Sequence, residues 1–345
     1  TMDAPMTATQ PHTESNAPSE LDTMRAILQR AYGDADQLAL ETVARPTPAA
    51  GEVLLRVAAA GLNPADWCVM RGDPYLIRLG YGLRRPKHPI QGQDVAGVVI
   101  AVGEGVTRFQ AGDEVFGYGN GAFAEFMAVP EKQLQARPAH LTLEQAATLP
   151  IAGLTALHAL RDQAKVQPGQ KVLIIAAAGG VGQFAVQMAK AYGAHVTGVC
   201  STHNVERVLA NGADEVIDYT TQDFTAAGPR YDVVVRLAGG NSVSECRSAL
   251  VAKGTLVIVG GGTYGSWLGG LERFLGTKLL GIFTRQRLRP FISMLNPDDL
   301  AALRELVEQH AIEPVMDRRF LLEETPDALT YVGTGHARGK VVVTP

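Results

Sequence analysis

Residues 171–186, KVLIIAAAGGVGQFAV, have the composition and spacing of a phosphate cradle. The apolar run VLIIAA leads into Ala177-Ala178-Gly179-Gly180-Val181-Gly182, which matches G-x-G-x-x-G with alanine in the first slot. Val181, Ala185, Met188, Ala189 and Tyr192 then form an apolar stripe at helical spacing. In such a strand–turn–helix, Gly179 lets backbone amides approach a pyrophosphate and Gly182 lets helix and strand pack closely. The helix N-terminus favours the anion. Glycines also make tight turns with no ligand. The strand–helix alternations on either side favour a dinucleotide, held by Ala178, Gly179, Gly180, Val181 and Gly182.

The residues after the next strand predict which dinucleotide. NAD sites place an acid about 20 residues on, at the end of the second strand, to hold the ribose hydroxyls. Here that strand ends GVCSTHN, with Cys200 in the acid's place and Ser201, Thr202 and His203 following. A carboxylate would repel a 2′-phosphate, so its absence predicts NADPH, with Arg207 one helical turn on as added charge. Ser and Thr at this point also read as ordinary helix caps.

Around this loop the chain divides in two. From Met24 come short strands in MRAILQRA, EVLLRVAAAG, DVAGVVIAVG and AEFMAV, punctuated by turns such as PTPAAGE, which predicts a compact β-rich domain. EQAATLPIAGLTALHALRDQA then carries helical periodicity. Beyond the loop, HVTGVC, EVIDY, YDVVVRLAG, TLVIVGGG and KLLGIFT read as buried parallel strands, with NVERVLANG and SVSECRSALVAKG as helices. PDDLAALRELVEQ and TPDALTYVG read as helices, and VMDRRF and GKVVVTP as strands. The expectation is a doubly wound parallel sheet joined to a β-rich domain. Residues 1–23, poor in large apolar side chains, read as a disordered tail.

Composition narrows the partners. Thirty-one basic against 35 acidic residues give no pull toward nucleic acid or an anionic membrane. No apolar run reaches bilayer-spanning length and no signal-peptide core is present. Cys68, Cys200 and Cys246 are too dispersed for a disulfide framework or a thiolate zinc site. A cytoplasmic location is the expectation.

HPIQGQDVAGVV, GDEVFG, AAGGVG and ADEVIDY, in that order, resemble the medium-chain dehydrogenase/reductase superfamily. Within it the chain is most similar to the zinc-independent NADPH:quinone oxidoreductase-like (zeta-crystallin-like) branch, from Met24 to Pro345. The resemblance implies an α/β fold: a GroES-like catalytic domain over 24–146 and 290–345, and a Rossmann NADP-binding domain over 147–289. In zinc-dependent members the metal ligands fall at positions that here hold Asn63, Gln93 and Asp94. Amides are poor zinc ligands beside thiolate and imidazole, so no metal is expected. Hydride transfer then requires an acceptor that is already electrophilic, a quinone or an α,β-unsaturated carbonyl compound.

By the same resemblance Asn63 lies near the nicotinamide and Tyr75 falls close to a proton-donating tyrosine. Thr155 contacts the nicotinamide end, Tyr219 reaches the adenosine phosphate, and Gly260 and Gly261 open the sheet edge onto ligand. Some have a plainer reading. Asn63-Pro64-Ala65-Asp66 is a helix start, Tyr219 a strand-end aromatic, and Gln93 with Asp94 a hydrogen-bonded structural pair. Arg236 stands where relatives have a small polar segment. The basic runs LRRPKH and RQRLRP could flank the cleft or face solvent. The expected molecule is a homodimeric reductase of quinones or enones. An enoyl-thioester or carbonyl reductase, or an NADPH-binding protein with little turnover, stands as the alternative.

Overall fold

Apolar residues in short runs between Gly- and Pro-containing turns make the first half of the chain a sheet. A computed structural model describes residues 22–260, 271–310 and 312–345. The tail expected over 1–23 lies outside the described residues as far as 21, and Thr23 already pairs with Ala44. In chain order the first elements are β1 (Thr23–Gln29), β2 (Leu38–Ala44), β3 (Glu52–Leu62), α1 (Pro64–Arg71), α2 (Arg78–Tyr81) and β4 (Asp94–Val102). Then come β5 (Glu114–Tyr118), β6 (Phe126–Pro130), β7 (Leu134–Ala136), α3 (Leu143–Ala146) and α4 (Pro150–Leu157), the last continued by a π-helical segment, His158–Ala164.

The second part follows as β8 (Lys171–Ile175), α5 (Gly182–Ala191), β9 (His195–Cys200), α6 (Val205–Ala210), β10 (Glu215–Asp218), β11 (Tyr231–Arg236), α7 (Val243–Ser248) and β12 (Leu250–Val259). It continues with α8 (Leu271–Ile282), β13 (Arg287–Phe291), α9 (Pro297–His310), β14 (Met316–Leu321), α10 (Thr325–Gly333) and β15 (Lys340–Thr344).

Two large sheets result. The parallel sheet runs β10-β9-β8-β11-β12-β13, the strand order of a doubly wound dinucleotide fold. The other runs β14-β15-β3-β4-β5-β7, with β6 also on β3. The C-terminal strand β15 returns to the first domain beside β3, Val341 opposite Leu62. That return brings Lys340 next to the start of α1. The largest apolar core contains residues of α4, α5, β8 and α9 and covers one face of the parallel sheet. A second core lies under β3, β4 and β15.

Three local expectations need correction. KLLGIFT belongs to α8 and its continuation, not to a strand. Leu279, Ile282 and Phe283 are exposed, so the segment has one free apolar face rather than the two covered faces of a central strand. The sixth strand is instead RLRPF, so the basic run RQRLRP forms the sheet's edge, with Leu288 buried between exposed Arg287 and Arg289. The helix expected over SVSECRSALVAKG stops at Ser248, because Leu250 already pairs with Tyr231 and begins β12. Strand β13 also straddles the expected domain limit at residue 290, and α9 beyond it packs on α4 through Leu303 against Gly153.

At Gly182, the first residue of α5, an added Cβ would lie 2.2 Å from the Ala176 carbonyl oxygen and 2.7 Å from the Ala177 carbonyl carbon. Backbone on both sides cannot yield as a side-chain tip would. Gly182→Ala should therefore cost about 1–3 kcal/mol, read as a lowered Tm. Gly179→Ala, whose Cβ meets only the Ala176 oxygen at 3.4 Å, should leave the Tm near that of the parent.

Candidate active site

Strand β8 gives way to the glycine loop at Ala176, which takes a left-handed φ of 67°. For a residue with a Cβ this costs of order 1–3 kcal/mol and is characteristic of turns that shape a site. Gly179 donates to the Ala176 carbonyl at 3.1 Å and accepts from Gln183 N–H at 3.1 Å. Among the described residues, the N–H groups of Gly180, Val181 and Gly182 have no acceptor. Three orphan donors at the head of a ten-residue helix, beside a glycine with open space before it, fit a pyrophosphate. Ala178 is buried at the base of this turn.

At the ribose end Cys200 is buried, its thiol pushed up to about 11 by desolvation. Ser201 Oγ accepts from Asn204 Nδ2 at 3.0 Å, and Thr202 Oγ1 donates to Asp218 at 2.6 Å. Asp218 ends β10 directly opposite Cys200. Reasoning along one strand overlooked this acid, because it comes from the neighbouring strand in register. The Thr202 hydroxyl, with Thr220, holds its carboxyl below the ordinary range, so it stays ionised. His203 lies in the turn after Ser201, and its charge acts on Asp218 in the same direction. The Arg207 guanidinium donates to the Arg338 carbonyl, tying this corner to the loop before β15. Tyr219 is 62% exposed, with only its backbone N–H on the Cys200 carbonyl. It is therefore not a packed strand-end aromatic.

At the opposite end, Gly260 leaves β12 with φ of 69° and donates to the Phe291 carbonyl, while Gly261 lies outside the described residues. Thr155 is buried on α4 and its hydroxyl donates to the Ile151 carbonyl at 2.6 Å. Arg236 is turned back on its own loop, donating to the Asn241 carbonyl at 2.6 Å.

Between α1, β4, α4 and β15 lies a cluster of buried charges. Asn63 starts α1, and its backbone N–H donates to Asp66 at 2.7 Å. Its side chain is occupied elsewhere: Nδ2 donates to Asp94 Oδ2 at 2.8 Å, and Oδ1 accepts from Lys340 Nζ at 2.6 Å. Lys340 also donates to the Leu62 carbonyl at 2.8 Å and lies 3.7 Å from Asp94 Oδ2. The other Asp94 oxygen accepts from Ile151 N–H at 3.0 Å, at the first turn of α4. The expected Gln93–Asp94 pair does not exist; Gln93 Nε2 instead donates to the Tyr81 hydroxyl at 2.8 Å. Asn63 thus both opens the helix and joins two domains' elements. At 4% exposure it is a buried connector rather than a free donor in the cleft.

Two carboxyls and one ammonium share this dry pocket. Burial pushes Asp66 up to about 7, aided by the Asp94 charge and opposed by the Asn63 N–H. Burial also raises Asp94, to about 6, against the pull of Lys340 and Asn63. Lys340 is lowered by burial and supported by both acids. The balance assigns the ion pair to Asp94 and Lys340, while Asp66, the acid raised further, keeps its proton until the pH approaches about 7. The only sequence sign of Lys340 was a lysine directly before the wholly apolar VVV, a place where its stem must be covered.

Tyr75 and Tyr81 part company. Tyr75 is 47% exposed and lies 4.5 Å from the Arg78 guanidinium, whereas Tyr81 lines a small cleft with His88, Gln93 and Asn120. Among the described residues no three His, Cys, Asp or Glu side chains gather as a metal site would require.

A dinucleotide loop at the carboxyl ends of a parallel sheet, facing a second domain with a polar pocket, defines a nicotinamide-dependent oxidoreductase. Comparison with known proteins carries this further. The model of the alcohol dehydrogenase GroES-like domain matches residues 49–139, and that of the zinc-binding dehydrogenases matches 211–343. A chloroplast envelope quinone oxidoreductase homolog of Arabidopsis thaliana is 36% identical, covering 93% of this chain and 98% of that protein. The NADPH-dependent alkenal/one oxidoreductase of the same plant is 34% identical, over 93% of this chain and 80% of its own. The solved quinone oxidoreductase of Coxiella burnetii superposes with a TM-score of 0.79 at 30% identity, covering 94% of this chain and 99% of its own. The chain belongs to the medium-chain dehydrogenase/reductase family, in its quinone oxidoreductase-like branch.

The buried acid pair gives the fold a pH dependence. Because folding raises Asp66 from 3.8 to about 7, the native state holds that proton more tightly than the unfolded chain. The stabilisation is complete below about pH 4 and is lost as pH rises through 7. Asp66→Asn is neutral throughout, so the variant's Tm should gain on the parent's between pH 5 and 8. A constant Tm difference across that range would mean that Asp66 does not titrate there.

Proposed function

We propose that this protein transfers a hydride from NADPH to a quinone or to the β-carbon of an enone or enal, without a metal. The observation that carries the proposal is the Lys340 ammonium bonded to Asn63 and beside Asp94, two of the positions at which, by the family resemblance, zinc-dependent members keep their ligands. Amides at Asn63 and Gln93 and a carboxylate already neutralised by a cation do not fit zinc. Without a Lewis acid to acidify it a simple alcohol keeps its proton, so the acceptor is one that is electrophilic from the outset. The quinone and alkenal/one specificities in the names of the relatives support the same choice.

When bound, the nicotinamide supplies the hydride. The chain's task is to hold the pyrophosphate on the free amides of Gly180 to Gly182 and to stabilise the oxyanion formed on the acceptor. Tyr81 suits the second role. Gln93 donates to its oxygen, which leaves the phenolic proton to be given away. Tyr75, stacked by Arg78 and exposed, suits substrate contact at the rim. For the cofactor, the missing acid at Cys200 and the approach of Arg207 to the 336–338 loop support NADPH. Asp218, engaged by two threonine hydroxyls, is the group opposing it.

Purified metal-free protein should consume NADPH faster than NADH with a naphthoquinone, a phenanthrenequinone, an alkenal or a cyclic enone. Tyr81→Phe should lower kcat about 10²-fold with dinucleotide affinity kept, and Tyr75→Phe should mainly raise KM. Turnover only with an enoyl-thioester, or none with any acceptor, would replace the proposal.

We also propose a homodimer. Among the described residues β13 has no strand on its outer side, and α8 beside it, with the residue that follows, exposes Leu275, Leu279, Ile282 and Phe283, the last 81% exposed. Such a row next to an open edge needs a cover. Light scattering should give twice the chain mass of 36.7 kDa, and Phe283→Asp should return the monomer.

A further inference from the structure

Lys340 is 2% exposed, yet every polar contact it makes leads to a different element. Its ammonium bonds the Leu62 carbonyl at the end of β3 and Asn63 Oδ1 at the head of α1, and faces Asp94 at the start of β4. Asp94 in turn fixes the first turn of α4, where Thr155 lies one turn on from Ile151. The aliphatic stem reaches the cofactor loop. A Cβ on Gly180 would lie 3.2 Å from Lys340 Cδ and 3.4 Å from the Gly339 carbonyl oxygen. One side chain therefore runs close beside the glycine loop with its stem, where a Cβ on Gly180 would crowd it, and enters the polar pocket with its tip.

Charge neutralisation of Asp94 alone would not require this arrangement. Buried ion pairs are often replaceable by apolar residues of similar volume with no loss of stability. What a hydrophobic pair could not supply is orientation. With Lys340 on Oδ1, the Asn63 amide has one permitted setting, its Nδ2 toward Asp94. The ammonium thus does by hydrogen bonding what a metal ion does by coordination: it holds three elements at fixed distances from one centre.

We propose that Lys340 is a positioning residue, a built-in cation that locks the Asn63–Asp94 pair and sets the glycine loop in register with the substrate cleft. The inference rests on the reductase proposal only for its kinetic readout. Its binding readout stands apart from it.

Lys340→Met alone would strand the Asp94 charge, so the test pairs it with Asp94→Asn. At pH 6, where Asp66 holds its proton, the double variant contains no unpaired buried ion, and measured there it should keep a Tm near the parent's. Its dinucleotide Kd, read by fluorescence titration without acceptor, should rise about tenfold, and its kcat should fall about tenfold or more with acceptor KM little changed. If the pair fails to fold, Lys340→Gln with Asp94→Asn, which keeps a donor toward Leu62, is measured against the same expectations. A folded double variant with parental Kd and kcat overturns the inference and leaves Lys340 as a counter-ion only. A parent protein that reduces none of the acceptors tells against the reductase proposal, while the Kd comparison still decides the role of Lys340.

Discussion

An ammonium shut away from water has to find all its partners in the fold, and Lys340 finds them on β3, α1 and β4. Desolvating such a group and its carboxylate is unfavourable by several kcal/mol per ion unless geometry and hydrogen bonds compensate. The elements around it are therefore not free to slide. Strand β15 must lie beside β3, α1 must begin at Asn63, and α4 must present Ile151 N–H to Asp94. The position of the glycine loop follows, because Gly180 rests on the lysine stem. A second joint reinforces the first: Gln183 on α5 and Val315 before β14 exchange two hydrogen bonds, and Gln187 reaches the Glu313 carbonyl.

The same cluster explains how one family fold serves two kinds of chemistry. In the proposed reading no metal polarises an oxygen here, and beside Asn63 and Asp94 this chain has a cation already satisfied by protein atoms. On that proposal electrophilic help comes from groups at the rim, where the Gln93–Tyr81 hydrogen bond orients a hydroxyl. The acceptors it suits are those that need only a hydride and a proton. The two sides of the cleft consequently differ. In the proposed assignment the cofactor side is backbone amide, while the acceptor side is α2 and the residues before β4, with exposed Leu79 and Leu83 at its border.

Much of this was legible from the order of residues, for a definite physical reason. Parallel strands covered on both faces must be continuous apolar runs, and a phosphate-binding turn must be glycine-rich, so VLIIAA and the loop after it declare themselves locally. The Asn63-Pro64-Ala65-Asp66 helix start is equally local. KLLGIFT misled because an amphipathic helix with one uncovered face and a buried strand are both apolar runs over seven residues. Only the exposure of Leu279, Ile282 and Phe283 distinguishes them.

By itself, then, the sequence determined the doubly wound sheet, the dinucleotide loop and the absence of thiol and imidazole at the zinc positions, since each depends on neighbours within a few residues. Tertiary structure alone decided the rest. Lys340 meets Asn63 across 277 positions, Asp218 meets Thr202 across the register of two strands, and Gln93 turns from Asp94 to Tyr81. A buried polar side chain takes whichever partner the packing brings within 3 Å or so, and that partner's distance along the chain carries no local signal.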